Sequence, residues 1–139
     1  MNHYKFSEIS VGLEAGFSRE ITEAMFDQFL ALSGDNNPLH VDSSYAQSKG
    51  FKDRVAYGLL SASFYSTLVG VHLPGKYCIL QGIDLLFSKP VFIGDSLTIS
   101  GKVSYINEAY QQLEIKAQIV NQSGQKVSKA KIRVGVLDD

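Results

Sequence analysis

The sequence predicts an α+β fold in which an antiparallel β-sheet covers a central helix. In the C-terminal half, hydrophobic and polar residues alternate with the two-residue period of strands that have one covered face. Between residues 58 and 69 every face of a helix would be apolar or small, which is typical of a helix enclosed by other structure. The chain has 139 residues, 45% hydrophobic and 19% charged, which fits one globular domain over residues 1–139. An antiparallel sheet with a segregated helix is an α+β arrangement.

Three strands follow from the alternation in the C-terminal half. The hydrophobic positions are Leu97, Ile99, Val103 and Tyr105, then Leu113, Ile115, Ala117 and Ile119, and then Ala130, Ile132, Val134 and Val136. Val127 is out of phase with the last series, which indicates a bulge. An earlier strand is expected over residues 78–87, ending before Pro90, and turns are expected at 107–109 and 121–124.

Three helices are predicted upstream of these strands. Thr22 is a suitable N-cap for a first helix that ends at Gly34. A short second helix is expected over residues 43–48, with Asp42 as its cap. The third is the uncharged helix already noted. Residues 55–75 contain no Asp, Glu, Lys or Arg, but their serines, histidine and proline favour a helix buried in protein over a membrane span.

Composition argues against several classes of function. The net charge of −1 gives no basis for binding nucleic acid or an anionic membrane surface. Neither a zinc-ligand spacing nor an EF-hand loop is present, so we expect no metal, and no other cofactor is indicated. Cys78 is the only cysteine, and the N-terminus lacks the apolar run of a secretory signal. Both observations favour a reducing compartment, and we expect the cytoplasm.

The segment from Ser33 to Asp42, SGDNNPLHVD, is the strongest candidate for chemistry. Because Pro38 disfavours helical geometry at the preceding residue, we expect Asp35 and His40 to share a loop between helices. A carboxylate and an imidazole on one rigid loop can bind a water between them, take its proton and return a proton to carbon. The same residue types are also ordinary turn and cap residues, so the residues alone leave both interpretations open.

Gly58 is a second candidate, because it begins the uncharged helix. The free backbone N–H groups and the dipole at a helix N-terminus favour negative charge. A substrate carbonyl placed there would be stabilised as it becomes an enolate. The alternative is a glycine that eases the start of the helix and allows close packing.

Several motifs, taken in order, resemble the MaoC-like hydratases, which include the (R)-specific enoyl-CoA hydratases. The matching pieces are Ser33-Gly34-Asp35, Asn37 to Asp42, Tyr45-Ala46, Gly58-Leu59-Leu60, Leu73-Pro74-Gly75, and Phe87 to Asp95. Their order and spacing agree over roughly half of the chain, from residue 29 to the region of Pro90, and the strand pattern suits the remainder.

The resemblance implies a hot-dog fold and a homodimer with active sites at the subunit interface. It also implies syn hydration of a trans-2-enoyl thioester, linked to CoA or acyl-carrier protein, to the (R)-3-hydroxyacyl thioester, or the reverse. By the match, Asp35 and His40 would be the catalytic pair, and Asn37 would shape their loop and hold His40. The Gly58 N–H would polarise the thioester carbonyl. Ser66 and Val69 on the central helix would line the acyl pocket.

One position departs from the family. Many relatives have His directly before the helix glycine, whereas this chain has Tyr57. Since the carbonyl-binding role belongs to the glycine backbone, we expect the change to affect the shape of the acyl or pantetheine tunnel rather than the type of reaction.

Two alternative functions are kept open. A hot-dog thioesterase would hydrolyse the C–S bond, and the fold alone does not separate it from a hydratase. The Asp35 and His40 loop favours the hydratase. A non-catalytic acyl-thioester-binding protein would retain the pair without turnover.

Overall fold

A computed structural model describes residues 1–138; residue 139, the last of the predicted domain, lies outside the described part. The strands form one five-stranded antiparallel sheet in the order β1-β3-β4-β5-β2. They are β1 (Glu14–Glu20), β2 (Cys78–Phe87), β3 (Ser96–Asn107), β4 (Gln112–Val120) and β5 (Lys126–Val136). The helices are α1 (Glu23–Ser33), α2 (Pro38–Val41), α3 (Ser43–Ser48) and α4 (Gly58–Thr67). A π-helical turn, Leu68–His72, continues α4, and a 3₁₀ turn covers Phe6–Glu8.

The inner face of the sheet packs against α4 and the turn that follows it. The alternating residues predicted to face inward are buried in β4 and β5, as are Leu97, Ile99 and Val103 of β3. A Cβ added at Gly101 would lie 2.9 Å from Leu68 Cδ2, so a glycine lets the helix approach the middle of the sheet. Each fully buried Leu or Ile contributes roughly 1.5–3 kcal/mol relative to exposure, which makes this interface the main source of stability.

Three predicted helix ends, at Thr22, Gly34 and Asp42, are confirmed, whereas the central helix expected over residues 58–69 is α-helical only to Thr67. The Thr22 side chain accepts a hydrogen bond from the Met25 N–H, and Gly34 ends α1 in the left-handed conformation, with φ of 73°. Asp42 caps α3 by accepting from the Tyr45 N–H. The bulge at Val127 is also confirmed, since Ile119 pairs with Ser128 and the next residue, Val120, pairs with Lys126. None of the helices within residues 1–138 combines the length and apolar character needed to cross a membrane.

The prediction that Tyr105 continues the inward row of β3 is wrong. The pairing of β3 with β4 shifts between Val103 and Tyr105, so Ser104 is an extra residue in the strand. Because one inserted residue reverses the side that every later side chain faces, Tyr105 is 58% exposed and Ile106 packs against the core instead.

Strand β1 was not predicted from the sequence. Its only hydrophobic side chains are Ala15 and Phe17, which give too short an alternation to stand out. Gly16 within it allows close contact with β3, since a Cβ there would lie 2.9 Å from the Ile99 carbonyl oxygen. The strand is held by pairing with β3 from Glu14↔Lys102 to Glu20↔Ser96, a long-range interaction that local pattern does not reveal.

The expectation that residues 35–40 form a loop throughout is also corrected. Asn37 is non-helical, as Pro38 requires, with φ of −54° and ψ of 130°. Pro38, however, occupies the first position of α2, where its missing N–H costs nothing and its fixed φ suits a helix. His40 therefore lies on a single helical turn rather than in a loop.

Candidate active site

Asp35 lies in the connection that follows the left-handed stop of α1. One carboxylate oxygen, Oδ1, accepts a hydrogen bond from the Asn37 N–H at 3.1 Å, and the Asp35 N–H donates to Ser33 Oγ at 3.2 Å. These two bonds fix the backbone on both sides of the carboxylate. Asp35 is exposed, and its second carboxylate oxygen accepts no hydrogen bond from residues 1–138, so it can accept one from another group.

His40 is positioned by the cap of α2 and by the segment before α4. The Asn37 side chain accepts from the Leu39 N–H at 2.9 Å, and the His40 N–H donates to the Asn37 carbonyl at 3.0 Å. His40 Nδ1 lies 2.7 Å from the carbonyl oxygen of Val55. Because a carbonyl only accepts, Nδ1 carries the proton, and Nε2 of the neutral ring keeps its lone pair for a proton from elsewhere.

Tyr57 joins the two candidate catalytic residues. Its hydroxyl donates a hydrogen bond to the backbone carbonyl of Asp35 at 2.9 Å, and its ring stacks on the His40 ring with centroids 4.1 Å apart. Phe29 packs on the phenol ring, at a centroid distance of 4.6 Å, and Tyr57 is only 2% exposed. Burial and the negative charge of Asp35 raise the pKa of Tyr57, so its hydroxyl stays protonated and donating well above neutral pH.

A cavity of about 400 Å³ lies at the N-terminal end of α4. Its lining is mostly apolar, with Phe51, Val55, Ala56, Gly58, Ser61, Phe87, Ser88, Lys89, Pro90, Val91, Val127 and Ser128. Its size suits part of a small ligand. A Cβ added at Gly58 would lie 3.2 Å from the Phe87 ring, so the glycine avoids a close contact between these two lining residues. Neither Asp35 nor His40 lines the cavity, but Val55 both lines it and holds His40.

The family model described as "MaoC like domain" matches residues 7–128. The chain belongs to the MaoC-like domain family. The family model thus spans all six candidate site residues, from Asp35 to Val69, and most of the sheet.

Curated members of the MaoC-like family are similar over most of their length. The chain is 42% identical over 102 residues to the (R)-specific enoyl-CoA hydratase of Rhodospirillum rubrum, covering 73% of this chain and 70% of that protein. It is 37% identical over 116 residues to the (R)-specific enoyl-CoA hydratase of Aeromonas caviae, covering 84% and 87% respectively.

Solved structures of MaoC-like proteins have the same architecture. An R-hydratase of Pseudomonas aeruginosa in the unliganded form superposes with a TM-score of 0.91 and 31% identity, covering 97% of this chain and 86% of that one. The (R)-hydratase of A. caviae involved in PHA biosynthesis gives a TM-score of 0.88 at 34% identity, covering 92% and 97%. With the five-stranded antiparallel sheet packed against α4, these similarities confirm the α+β hot-dog fold.

The two residues expected to line the acyl pocket of this MaoC-like chain lie apart from the cavity. Ser66 is exposed on α4, and Val69, in the π-helical turn, is 1% exposed within the core. Both stand two or more turns beyond Gly58, and neither lines the cavity. Tyr57 thus contacts Asp35 and His40, Asn37 is hydrogen-bonded to Asp35, and Gly58 follows Tyr57 in the chain, whereas Ser66 and Val69 take no part in this set of contacts.

Sequence reasoning did not anticipate two features around the candidate site. It expected Tyr57 to affect the shape of a tunnel, and did not foresee that this side chain contacts both Asp35 and His40. It also passed over Ser61, which is buried and lines the cavity. The three-residue spacing from Gly58 to Ser61 was the available signal, since residues three apart share one helix face.

Proposed function

We propose that this protein catalyses the (R)-specific hydration of trans-2-enoyl thioesters to (R)-3-hydroxyacyl thioesters, or the reverse dehydration. The observation that carries the proposal is that one buried phenol, Tyr57, bonds the backbone of Asp35 and stacks on the ring of His40. One side chain thereby contacts both the residue that carries the carboxylate and the ring that carries the imidazole nitrogens. Relatives named as (R)-specific enoyl-CoA hydratases and as a 3-hydroxybutyryl-CoA dehydratase support the reaction type.

In the hydration direction, the free oxygen of Asp35 accepts a hydrogen bond from water and orients it. His40 Nε2 takes a proton from the same water as its oxygen bonds to C3 of the enoyl group. The π electrons move onto the thioester carbonyl oxygen and give an enolate. The imidazolium then returns its Nε2 proton to C2 on the same face, so the net change is addition of one water. One pair of groups on one side of the substrate accounts for the syn course.

The enolate needs stabilisation on the carbonyl side, and the N-terminus of α4 supplies it. As the first residue of the helix, Gly58 has no partner for its N–H within the helix, and no other bond from this N–H is found within residues 1–138. A backbone donor fixed before the reaction begins stabilises the developing oxyanion without reorganisation. Gly58 is therefore proposed to bind the thioester carbonyl oxygen.

We also propose that the enzyme works as a homodimer in the cytoplasm. Edge strand β2 pairs only with β5, and its side chains Leu80, Ile83 and Phe87 are 46%, 37% and 52% exposed. Leu80 and Ile83 pair with Val134 and Ile132, so they face the helix side of the sheet. An open edge with an apolar strip is the arrangement that a second copy of the same strand covers. The single cysteine favours a reducing compartment.

A direct assay follows the enoyl-thioester absorbance and free thiol when purified protein is added to crotonyl-CoA. Hydration removes the absorbance without releasing thiol, and chiral analysis of the product gives the (R) isomer. Release of thiol would identify a thioesterase instead. No change with several chain lengths would favour the non-catalytic acyl-thioester-binding protein. The same assay with acyl-carrier-protein thioesters determines which carrier is preferred.

Variants of the pair test the mechanism. We expect Asp35→Asn and His40→Ala each to lower kcat by at least about 100-fold, since the first removes the carboxylate that orients the water and the second removes the group that transfers its proton. Asp42→Asn, which keeps the cap of α3, and His3→Ala, at an exposed position, are matched controls that should retain activity. Near-normal kcat in either Asp35→Asn or His40→Ala would exclude this mechanism.

A further inference from the structure

The hydroxyl of Ser61 is buried and has no hydrogen-bond partner. Ser61 is 4% exposed, and among residues 1–138 it holds the only buried side-chain hydroxyl that neither donates to nor accepts from another group. A buried hydroxyl without a partner is costly, and native proteins seldom retain one without a use. This makes a polar group supplied by a ligand the natural partner.

Ser61 lines the cavity at the N-terminal end of α4, as Gly58 does. Both residues line it, and they lie one helical turn apart on the same side of α4. Because helical side chains tilt towards the N-terminus of their helix, the Ser61 hydroxyl lies over the turn that carries the Gly58 N–H.

The other serines of the cavity are already accounted for. Ser128 Oγ accepts a hydrogen bond from the Tyr65 hydroxyl at 3.0 Å, and Ser88 is exposed. The remaining walls are mostly apolar. Ser61 is thus the one buried serine lining this cavity whose hydroxyl makes no hydrogen bond to another residue within 1–138.

We propose that Ser61 Oγ donates a hydrogen bond to the thioester carbonyl oxygen of the substrate, as a second donor beside the Gly58 N–H. The proposal rests on the function proposed above. A carbonyl oxygen has two lone pairs and accepts from two donors at once. As the carbonyl becomes an enolate, its charge grows between two fixed donors in an apolar cavity, where each donor has more effect than in water. No proton is transferred to or from Ser61.

Kinetics of three variants provide the first test. With crotonyl-CoA, Ser61→Ala should lower kcat by about 10- to 100-fold and change KM by less than about threefold, because the lost bond is strongest in the transition state. Ser61→Thr keeps a hydroxyl and should restore most of the activity. Ser63→Ala is the matched control: Ser63 is exposed on the same helix and donates to the Leu60 carbonyl. The melting temperature of Ser61→Ala should equal or exceed that of the wild type, because the change removes a buried hydroxyl without a partner.

A spectroscopic test does not depend on turnover. Butyryl-CoA labelled with carbon-13 at the carbonyl is saturated and cannot be hydrated, so its bound infrared band reports the hydrogen bonds to the carbonyl oxygen. The band should move to lower frequency on binding to the wild type and move less with Ser61→Ala.

The outcomes separate the two proposals. If the wild type hydrates crotonyl-CoA but Ser61→Ala has the same kcat and the same carbonyl band, the role of Ser61 is wrong and the proposed function stands. If the wild type hydrates no enoyl thioester, the proposed function fails, and the band of bound butyryl-CoA still decides whether Ser61 contacts the carbonyl. If the wild type neither hydrates crotonyl-CoA nor binds butyryl-CoA, both proposals are overturned.

Discussion

The rings of His40 and Tyr57 stack with their centroids 4.1 Å apart and their planes 29° from parallel. The same tyrosine donates a hydrogen bond from its hydroxyl to the Asp35 carbonyl, and Phe29 packs against its ring. Asp35 and His40 lie on short segments with few core contacts of their own. One rigid aromatic side chain that touches both residues fixes their separation more firmly than either segment does alone.

Removing parts of Tyr57 should therefore affect the chemical step more than binding. Tyr57→Phe loses only the bond to Asp35, worth about 1 kcal/mol, so we expect kcat to fall about fivefold with little change in KM. Tyr57→Leu also loses the stack and should lower kcat further, with altered chemical shifts of the His40 ring in NMR spectra. Tyr105→Phe, at a 58% exposed position, is the control. Wild-type kcat in both Tyr57 variants would show that the contacts play no part in positioning.

The cap of α2 gives a second prediction. Asn37→Ala removes the acceptor for the Leu39 N–H and should cost roughly 0.5–2 kcal/mol of unfolding free energy. It should also lower kcat, because the turn that carries His40 loosens. Asn37→Ser restores a good cap and should recover much of both losses. Chemical denaturation and steady-state kinetics measure the two effects. A loss of stability with kcat unchanged would mean that Val55 and Tyr57 hold His40 without the cap.

Structural features that depend on residues close together in the chain could be predicted from the sequence, whereas features that depend on distant residues could not. Thr22, Gly34 and Asp42 act within one turn of the chain, and their cap roles were correctly predicted. The β3 bulge that exposes Tyr105 and the short β1 depend on pairing between distant strands, and local periodicity did not reveal them.

The same limit applies to the candidate site. The motif pointed to Asp35, His40 and Gly58, whose roles remain proposals. The bond from Tyr57 to the Asp35 carbonyl joins residues 22 positions apart and has no local signature. Nothing in the sequence distinguishes Ser61 from Ser63 and Ser66 on the same helix. Only the three-dimensional packing shows that the Ser61 hydroxyl is buried without a hydrogen-bond partner.

Gly58 is predicted to tolerate an added side chain poorly. An added methyl group would lie 3.2–3.5 Å from three atoms of the Phe87 ring, which also lines the cavity. We expect Gly58→Ala to lower kcat/KM for crotonyl-CoA by at least about tenfold, since small displacements of a positioned carbonyl are costly. Gly70→Ala is the matched control, because its added methyl meets no atom within 4 Å. If the clash is the cause, adding Phe87→Leu to Gly58→Ala should restore part of the activity; no recovery would point to another cause.

Assembly and activity should fail together when the apolar strip of β2 is disrupted. Ile83→Lys places a charge within this strip and should convert the proposed dimer to a monomer, measured by light scattering during size-exclusion chromatography. If the active site lies at the subunit interface, hydratase activity should fall with the dimer fraction. Leu32→Lys, at an 84% exposed position on α1, is the control. A dimer that persists in Ile83→Lys would move the interface elsewhere.

Because the pKa of Tyr65 is raised in the folded chain, we expect the free energy of unfolding to fall at high pH. Burial is the main cause that raises its pKa from 10.0 to about 12, and the residue is 1% exposed. Below pH 10 the phenol is protonated in both the folded and the unfolded chain, so its contribution is constant. Between pH 10 and 12 the unfolded chain loses this proton while the folded chain keeps it, so the free energy of unfolding falls. A shift of two pKa units corresponds to a loss of up to roughly 2.7 kcal/mol.

Chemical denaturation at a series of pH values from 8 to 12 measures the fall in unfolding free energy. Variants of Tyr65 and Cys78 separate the contributions of the two residues. Burial also raises the pKa of Cys78 from 9.0 to about 11, so its contribution is lost over a lower and overlapping pH range. Cys78→Ser should therefore flatten the curve mainly between pH 9 and 11, and Tyr65→Phe mainly between pH 10 and 12. At neutral pH, Tyr65→Phe should be less stable by about 1 kcal/mol, because the buried Ser128 hydroxyl loses its partner. An unchanged pH dependence in Tyr65→Phe would show that this tyrosine ionises no later in the folded chain than in the unfolded one.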